Sequence, residues 1–257
     1  TDWARDIGYT SINFDLVYGL PHQSLSSIEN TIDLVNLLRP DRIAYYSYAH
    51  VPWVKPGQRS FTEKDLPAGD LKHQMYVLGK NMLTNVGYIE IGMDHFALPH
   101  EDLTVAYQSG KMHRNFMGYT TQPSKLMIGL GVSAISDTWT AFGQNIKVVE
   151  EYINRLSEGK FPVFRGHILT EEDLAIRKVI LDLMCTFKAE LPVKQHQDLD
   201  ELLDALNEMI NDKLIVLNNN TVRVTYSGRP FVRNICMAFD KRLLRSKPDT
   251  QIFSMTV

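Results

Sequence analysis

Thr10-Ser-Ile-Asn-Phe-Asp-Leu-Val-Tyr-Gly-Leu-Pro21 is the stretch that decides the fold class of this 257-residue chain. Ile12, Phe14, Leu16 and Tyr18 alternate with Asn13, Asp15, Val17 and Gly19, the two-residue period of a β-strand. One face is apolar. The other carries an amide and a carboxylate, and Gly19-Leu-Pro21 ends the run in a sharp turn. Such a strand suits a barrel wall, whose helix-facing side is dry and whose chemistry gathers toward the C-terminal ends of the strands. It equally suits an ordinary sheet in which Asp15 caps a neighbouring turn. The stretch alone leaves both open.

Working outward, Ser24 precedes an apolar stripe of Ile28, Ile32, Val35 and Leu38, the spacing of a helix packed on a sheet, with Glu29 near its capped start. Arg39-Pro40-Asp41 stops it, and Arg42–His50 reads as the next strand. Strand, helix and strand within about forty residues is the arithmetic of a βαβ crossover and a parallel sheet. The polar connection Pro52–Pro67 is long for a turn, and loops of that kind often cover sites. Gly69–Val86 reads as a helix ended by Gly87, and Tyr88–Ala97 as a third strand with Asp94 and His95 near its end. That alternation makes half of a barrel.

His100–Gly110 reads as a short polar helix, and His113–Gln122 as a structured loop dense in donors and aromatics. In Leu126–Ser136 two glycines, Gly129 and Gly131, mark a close approach to the backbone. Strand packing and phosphate binding both explain them. Asn145–Leu156 reads as a helix ended by Gly159. Composition changes near Gly166, which divides the chain into domains over residues 1–166 and 167–257. Thr170 caps an acidic first turn, Leu199–Asn211 forms a second helix, Asn218-Asn219-Asn220 closes a hairpin, and Gly228–Lys247 is a final helix. Helices around a hairpin suggest a winged-helix-like module, which commonly binds DNA. From Lys194 to Val257, however, nine Lys and Arg face eight Asp and Glu, too even a balance for a DNA-binding surface.

The whole chain carries a net charge of −3, and no apolar run approaches the roughly 20 residues of a membrane span. The first residue is Thr, and Thr1–Gly8 resembles the end of a helix already under way, so an excised piece of a longer protein is expected. Cys185 and Cys236 lack metal-ligand spacing, so they read as buried, reduced thiols of a cytoplasmic protein and no metal is expected on this chain.

Six blocks carry a resemblance: Ile12–Pro21, Tyr48-Ala-His50, Gly92-Met-Asp-His-Phe-Ala97, His113-Arg-Asn-Phe-x-Gly-Tyr-Thr-Thr-Gln122, Gly131-Val-Ser-Ala-Ile-Ser136 and Arg233-Asn-Ile-Cys-Met237. In this order, over nearly the whole chain, they resemble oxygen-independent coproporphyrinogen III oxidase, a radical S-adenosylmethionine enzyme of haem biosynthesis. The resemblance implies an α/β fold: the C-terminal half of a radical-SAM (β/α)6 partial barrel, then a helical, winged-helix-like C-terminal domain. It also implies two S-adenosylmethionine molecules, and a 4Fe–4S cluster held by a Cys-x3-Cys-x2-Cys loop. The reaction implied is radical oxidative decarboxylation of two propionates of coproporphyrinogen III to vinyl groups. This chain has no such loop, so the fragment alone is expected to be inactive.

Matched motif by motif, the resemblance implies that Asp15, Ala49 and Ile135 contact S-adenosylmethionine. It also implies His113, Arg114 and Tyr119 near the anionic substrate, where a guanidinium suits a propionate. Met117 departs from the family's pattern, which has Gln there, and so removes a polar contact. A haem chaperone of the same superfamily is the alternative, with His50, His95 or His113 as axial ligands. The parent is expected to be a monomer without nucleic-acid or membrane partners. The fragment is expected to self-associate through a bare sheet edge at Ser11–Tyr18.

Overall fold

The strand read from the quoted stretch is present as β1 (Asn13–Tyr18) and pairs in parallel with β2 (Arg42–Ser47), Asp15 lying opposite Ala44. Between them runs α2 (Leu25–Leu38), preceded by the short α1 (Asp2–Asp6). This computed structural model describes residues 1–53, 55–191, 206–240 and 242. Thr1–Ser109 belong to one compact unit and Gly110–Leu244 to a second.

In the first unit, Ile28, Ile32 and Val35 of α2 are buried against the sheet, as their spacing requires. The start of α2 is a capping box in which Ser24 and Ser27 satisfy each other's backbone N–H, so Ser27 fills the role that the sequence suggested for Glu29. A second helix, α3 (Gly69–Asn85), adds Met75, Tyr76 and Leu83 to the same core. Gly79 is essential to the fit, because a Cβ there would lie 2.6 Å from the Tyr45 ring. That ring is fully buried, and its hydroxyl donates to Met75 O at 2.8 Å.

The expected third strand is two strands. β3 (Ile89–Gly92) and β4 (His95–Ala97) form an antiparallel hairpin, and β4 inserts between β2 and β3 to give the sheet order β1-β2-β4-β3. Met93 takes a left-handed φ of 49° in the two-residue turn, which reverses the chain. The parallel order expected for the third strand is thus not followed, since β4 runs antiparallel to both β2 and β3. The expected polar helix follows as α4 (Asp102–Gln108).

The second unit opens with β5 (His113–Asn115) and β6 (Gly118–Thr120), an antiparallel hairpin where a loop was expected. Gly118 has φ 130°, a conformation that L-residues rarely adopt, and Asn115 Oδ1 accepts the Met117 N–H at 2.8 Å across the turn. A three-stranded antiparallel sheet of β7 (Ile135–Asp137), β8 (Ala141–Asn145) and β9 (Val163–Ile168) comes next. The expected helix from Asn145 starts later, as α5 (Val149–Ser157), because Asn145 ends β8; Gly159 follows it with φ 68°. β9 runs through Gly166, where composition shifts.

Thr170 and Asp173 box the start of α6 (Glu171–Thr186). Beyond it, β10 (Lys188–Glu190), β11 (Ile215–Asn218) and β12 (Thr221–Val224) form a sheet ordered β10-β12-β11. Asn219 takes φ 52° in the two-residue turn joining β11 to β12, as the Asn run requires. Residues 206–211 are helical, and the start of the expected Leu199–Asn211 helix lies outside the described residues. Of the expected Gly228–Lys247 helix, a 3-10 turn at Arg229–Phe231 and α7 (Val232–Met237) are seen, and most of its end lies outside them too.

Candidate functional site

In the first unit the alternation of β1 sends Phe14, Leu16 and Tyr18 into the core and leaves Asn13, Asp15 and Val17 on the opposite, exposed face. Asn13 Nδ2 donates to Asp15 Oδ1 at 2.9 Å, which orients the carboxylate along the strand. Register carries that face across the sheet, from Asp15 to Ala44 and on to His95, and from Val17 to Tyr46. The Tyr46 and His95 rings meet edge to face at 6.0 Å. One polar sheet face therefore offers a carboxylate, a phenol and an imidazole. The residues placed behind it do not share that chemistry: burial, with Asp94 nearby and against a hydrogen bond to Ser47, pushes the Tyr18 phenol up to about 12.

Ala49 lies just past the end of β2. The Pro52–Pro67 connection forms 3-10 turns at Pro56–Ser60 and Glu63–Asp65, and Gln58 clamps the chain around Ala49. Its Nε2 donates to Ala49 O at 3.1 Å, and its Oε1 accepts the Val51 N–H at 2.6 Å. His50 stands beside this clamp with its ring 5.2 Å from that of Phe61, and its Nδ1 is buried without a hydrogen-bond partner.

Ile135 belongs to the second unit, at the start of β7, half-buried and paired with Gln144. Its backbone presses on Gly129: a Cβ at Gly129 would lie 2.7 Å from Ile135 O. Asn145 Nδ2 donates to Gly129 O at 3.1 Å and to Gly131 O at 2.9 Å. Packing against β7 thus accounts for the Gly129 position, and of the two readings of the glycine pair the structural one is what the geometry displays.

In the β5–β6 hairpin Arg114 is paired across the strands with Tyr119, whereas His113 is paired with Thr120 and, one residue from Arg114 on the same strand, points to the other face. The Arg114 guanidinium stacks 4.7 Å from the Tyr119 ring, and the Tyr119 hydroxyl donates to Met184 O at 2.9 Å. Burial, reinforced by the Arg177 charge and opposed by Asp137, holds the His113 imidazole below its usual pKa. A cleft of about 350 Å3 opens here between the hairpin and α6, with Arg114, Phe116, Phe142, Arg177 and Ile180 among its lining. Met117, by contrast, is 88% exposed.

Two ion pairs of this region, Arg177 with Asp137 and Arg242 with Asp173, escaped the sequence. Arg177 grips both oxygens of Asp137, at 3.0 and 2.6 Å, and lies between the Trp139 and Phe142 rings at 4.3 and 5.1 Å. Asp173 accepts from Arg242 at 2.7 and 3.0 Å and stands 3.1 Å from His167 Nε2. The Arg242 hydrogen bonds, with help from Thr170 and against burial, hold the Asp173 carboxyl far below the usual range. The usable signal was the spacing of Asp173 and Arg177, four apart on one helix and hence on one face.

A cluster of iron and sulfide needs closely spaced thiolates. Cys185 and Cys236 stand on different helices, both buried, and burial pushes each thiol up to about 12, so the residues present do not fit such a group. Among the described residues no group of three or more His, Cys, Asp or Glu side chains is arranged to hold a metal ion. A ribose or sulfonium partner is a different matter: the exposed, oriented Asp15 carboxylate is a suitable acceptor and counter-charge. Among the described residues no helix is long and apolar enough to cross a membrane.

Residues 169–231 match the family profile described as the HemN C-terminal domain. The chain is 40% identical to the oxygen-independent coproporphyrinogen III oxidase of Escherichia coli K12, over 99% of its own length and 57% of that protein. To the Synechocystis enzyme of the same name it is 38% identical, covering 57% of it, and to that of Thermostichus vulcanus 38%, covering 77%. A solved structure of E. coli coproporphyrinogen III oxidase (HemN), described as a radical SAM enzyme, superposes with a TM-score of 0.89 at 38% identity, over 94% of this chain and 57% of that one. The chain thus spans little more than half the length of several relatives it matches.

Proposed function

The chain belongs to the oxygen-independent coproporphyrinogen III oxidase family, and on that premise we propose that it is the C-terminal part of such an oxidase, acting on coproporphyrinogen III in the cytoplasm once joined to a cluster-bearing segment. The single observation that carries the reading is the polar face of the first sheet, on which the exposed Asp15, oriented by Asn13, shares a side with Tyr46 and His95. The fold proposed for the two parts is the C-terminal half of a radical-SAM partial barrel and a winged-helix-like module. The parallel β1–α2–β2 unit supports the first, and the β10-β12-β11 sheet with its flanking helices supports the second.

When bound, S-adenosylmethionine supplies the radical that removes hydrogen from a substrate propionate; two molecules are proposed, as the resemblance implies. The chain's own residues bind and orient. Asp15 accepts from ribose hydroxyls or balances the sulfonium charge. Ala49, its carbonyl fixed by Gln58, and the half-buried Ile135 offer small or apolar contacts to an adenosyl group. His113, Arg114 and Tyr119 face the substrate's anionic arms, and the depressed pKa of His113 keeps it neutral near pH 7, a hydrogen-bonding rather than a charged partner.

The test is complementation and turnover. A full-length protein carrying these 257 residues, with its cluster reconstituted, is expected to convert coproporphyrinogen III to protoporphyrinogen IX with release of carbon dioxide. Absence of turnover, together with tight haem binding in a Soret titration, would instead identify a haem carrier.

A further inference from the structure

Just beyond the carboxyl ends of the parallel strands β1 and β2, the Tyr48 N–H still donates to Tyr18 O at 2.8 Å. Such strand ends are where α/β folds bind their ligands. Lys72, in the first turn of α3, reaches across both of them. Its stem passes over Gly19, where a Cβ would lie 2.9 Å from Lys72 Cε, and its Nζ donates to Tyr48 O at 3.0 Å. Gly19 has φ 83°, so the turn and the track of the lysine both call for glycine.

Stability alone gives no reason for a lysine here. A cation in the first turn of a helix opposes the helix dipole. Burial holds the Lys72 amine below its usual pKa, and among the described residues it has no carboxylate partner. Water would satisfy a carbonyl at a strand end without either cost.

What the lysine does hold is one side of a peptide plane. Tyr48 O and the Ala49 N–H belong to the same planar unit, so fixing the oxygen fixes the direction of the N–H. From a different element, Gln58 takes Ala49 O and the Val51 N–H. Both carbonyls flanking the Ala49 Cα are therefore pinned by side chains. Among the described residues the Ala49 N–H itself has no hydrogen-bond partner.

We propose that Lys72 is a positioning residue for an adenosyl ligand: by holding Tyr48 O it presents the Ala49 N–H as a donor to an acceptor nitrogen of the purine, while Gln58 fixes the carbonyl that follows. The lysine acts through the main chain and does not itself touch the ligand. This deepens the function proposed above and rests on its placing of the adenosyl group at Ala49.

The test is equilibrium binding of S-adenosylhomocysteine to a full-length protein that carries these 257 residues, with its cluster reconstituted. Lys72→Met keeps the stem over Gly19 and removes the donor, and its affinity is expected to fall about threefold to tenfold. KM for S-adenosylmethionine is expected to rise by a similar factor with kcat little changed, the pattern of a lost binding contact. Lys72→Arg keeps a donor of similar reach and is expected to restore most of the affinity. Wild-type affinity in Lys72→Met would overturn the assignment, and so would a loss that Lys72→Arg does not repair. A merely structural lysine would lower the melting midpoint in Lys72→Met and leave the folded protein's affinity unchanged, which also counts against it. No binding of S-adenosylhomocysteine by the folded wild type would remove the Ala49 contact and the role of Lys72 together. Failure to turn over coproporphyrinogen III, with S-adenosylhomocysteine bound and that binding weakened in Lys72→Met, would remove the oxidase reading and leave the positioning role standing.

Discussion

Asp173 shows how one side chain ties elements together. It caps α6 through Thr170, receives Arg242, and stands against His167 at the end of the β7–β9 sheet. Because its folded-state pKa is depressed, its contribution to stability is complete above the ordinary aspartate value and is lost as pH falls below it. We expect Asp173→Asn to lower stability at pH 7 and to flatten the acid limb below about pH 4, measured by urea melts across pH. An unchanged acid limb would show that the carboxylate's partners do not stabilise it. His113 works in the same direction for the opposite chemical reason. Held neutral in the folded chain, it contributes stability that is complete above its unfolded pKa of about 6.5 and is lost as pH falls. His113→Gln should remove that part of the slope below about pH 6.5, measured by the same urea melts. Asp15 was legible in the sequence because a two-residue period assigns each side chain to a face. Arg177 with Asp137 was not, since the partners are 40 residues apart and nothing local links them.

At the scale of elements, what was legible was what local periodicity determines. α2, α3 and α6, each of 14 residues or more, have stripes long enough to announce themselves, and β1 and β2 alternate over six residues. β4, β5, β6 and β7 have three residues each, too few for a period, and exist because a turn pairs them with a neighbour. The Tyr88–Ala97 run reads as one strand because its composition is continuous; only Gly92-Met93-Asp94 hints at the reversal. Gly79 carries a prediction at this scale. Alanine raises helix propensity by up to about 1 kcal/mol, whereas overpacking a filled core costs about 1–3 kcal/mol. The Tyr45 ring cannot yield without losing its bond to Met75, so overpacking wins. Gly79→Ala is expected to destabilise the chain by about 1–2 kcal/mol in chemical denaturation; a stabilised variant would mean that the ring relaxes freely.

For the whole molecule, β1 is at an edge of its four-stranded sheet among the described residues, and Trp3, Ile7 and Tyr9 near it are all more than 60% exposed. An open strand edge next to apolar surface favours pairing with another chain. We expect concentration-dependent association in sedimentation experiments, relieved by Val17→Lys on the edge strand; a monomer at every concentration would contradict it. The same sheet bears the face on which the functional account depends, so its most direct test is cofactor binding rather than association. In a full-length protein with its cluster in place, equilibrium binding of S-adenosylmethionine should weaken about tenfold or more in Asp15→Ala while the cluster's absorption spectrum stays the same. Wild-type affinity in that variant would contradict the assignment of this strand face to the adenosyl group.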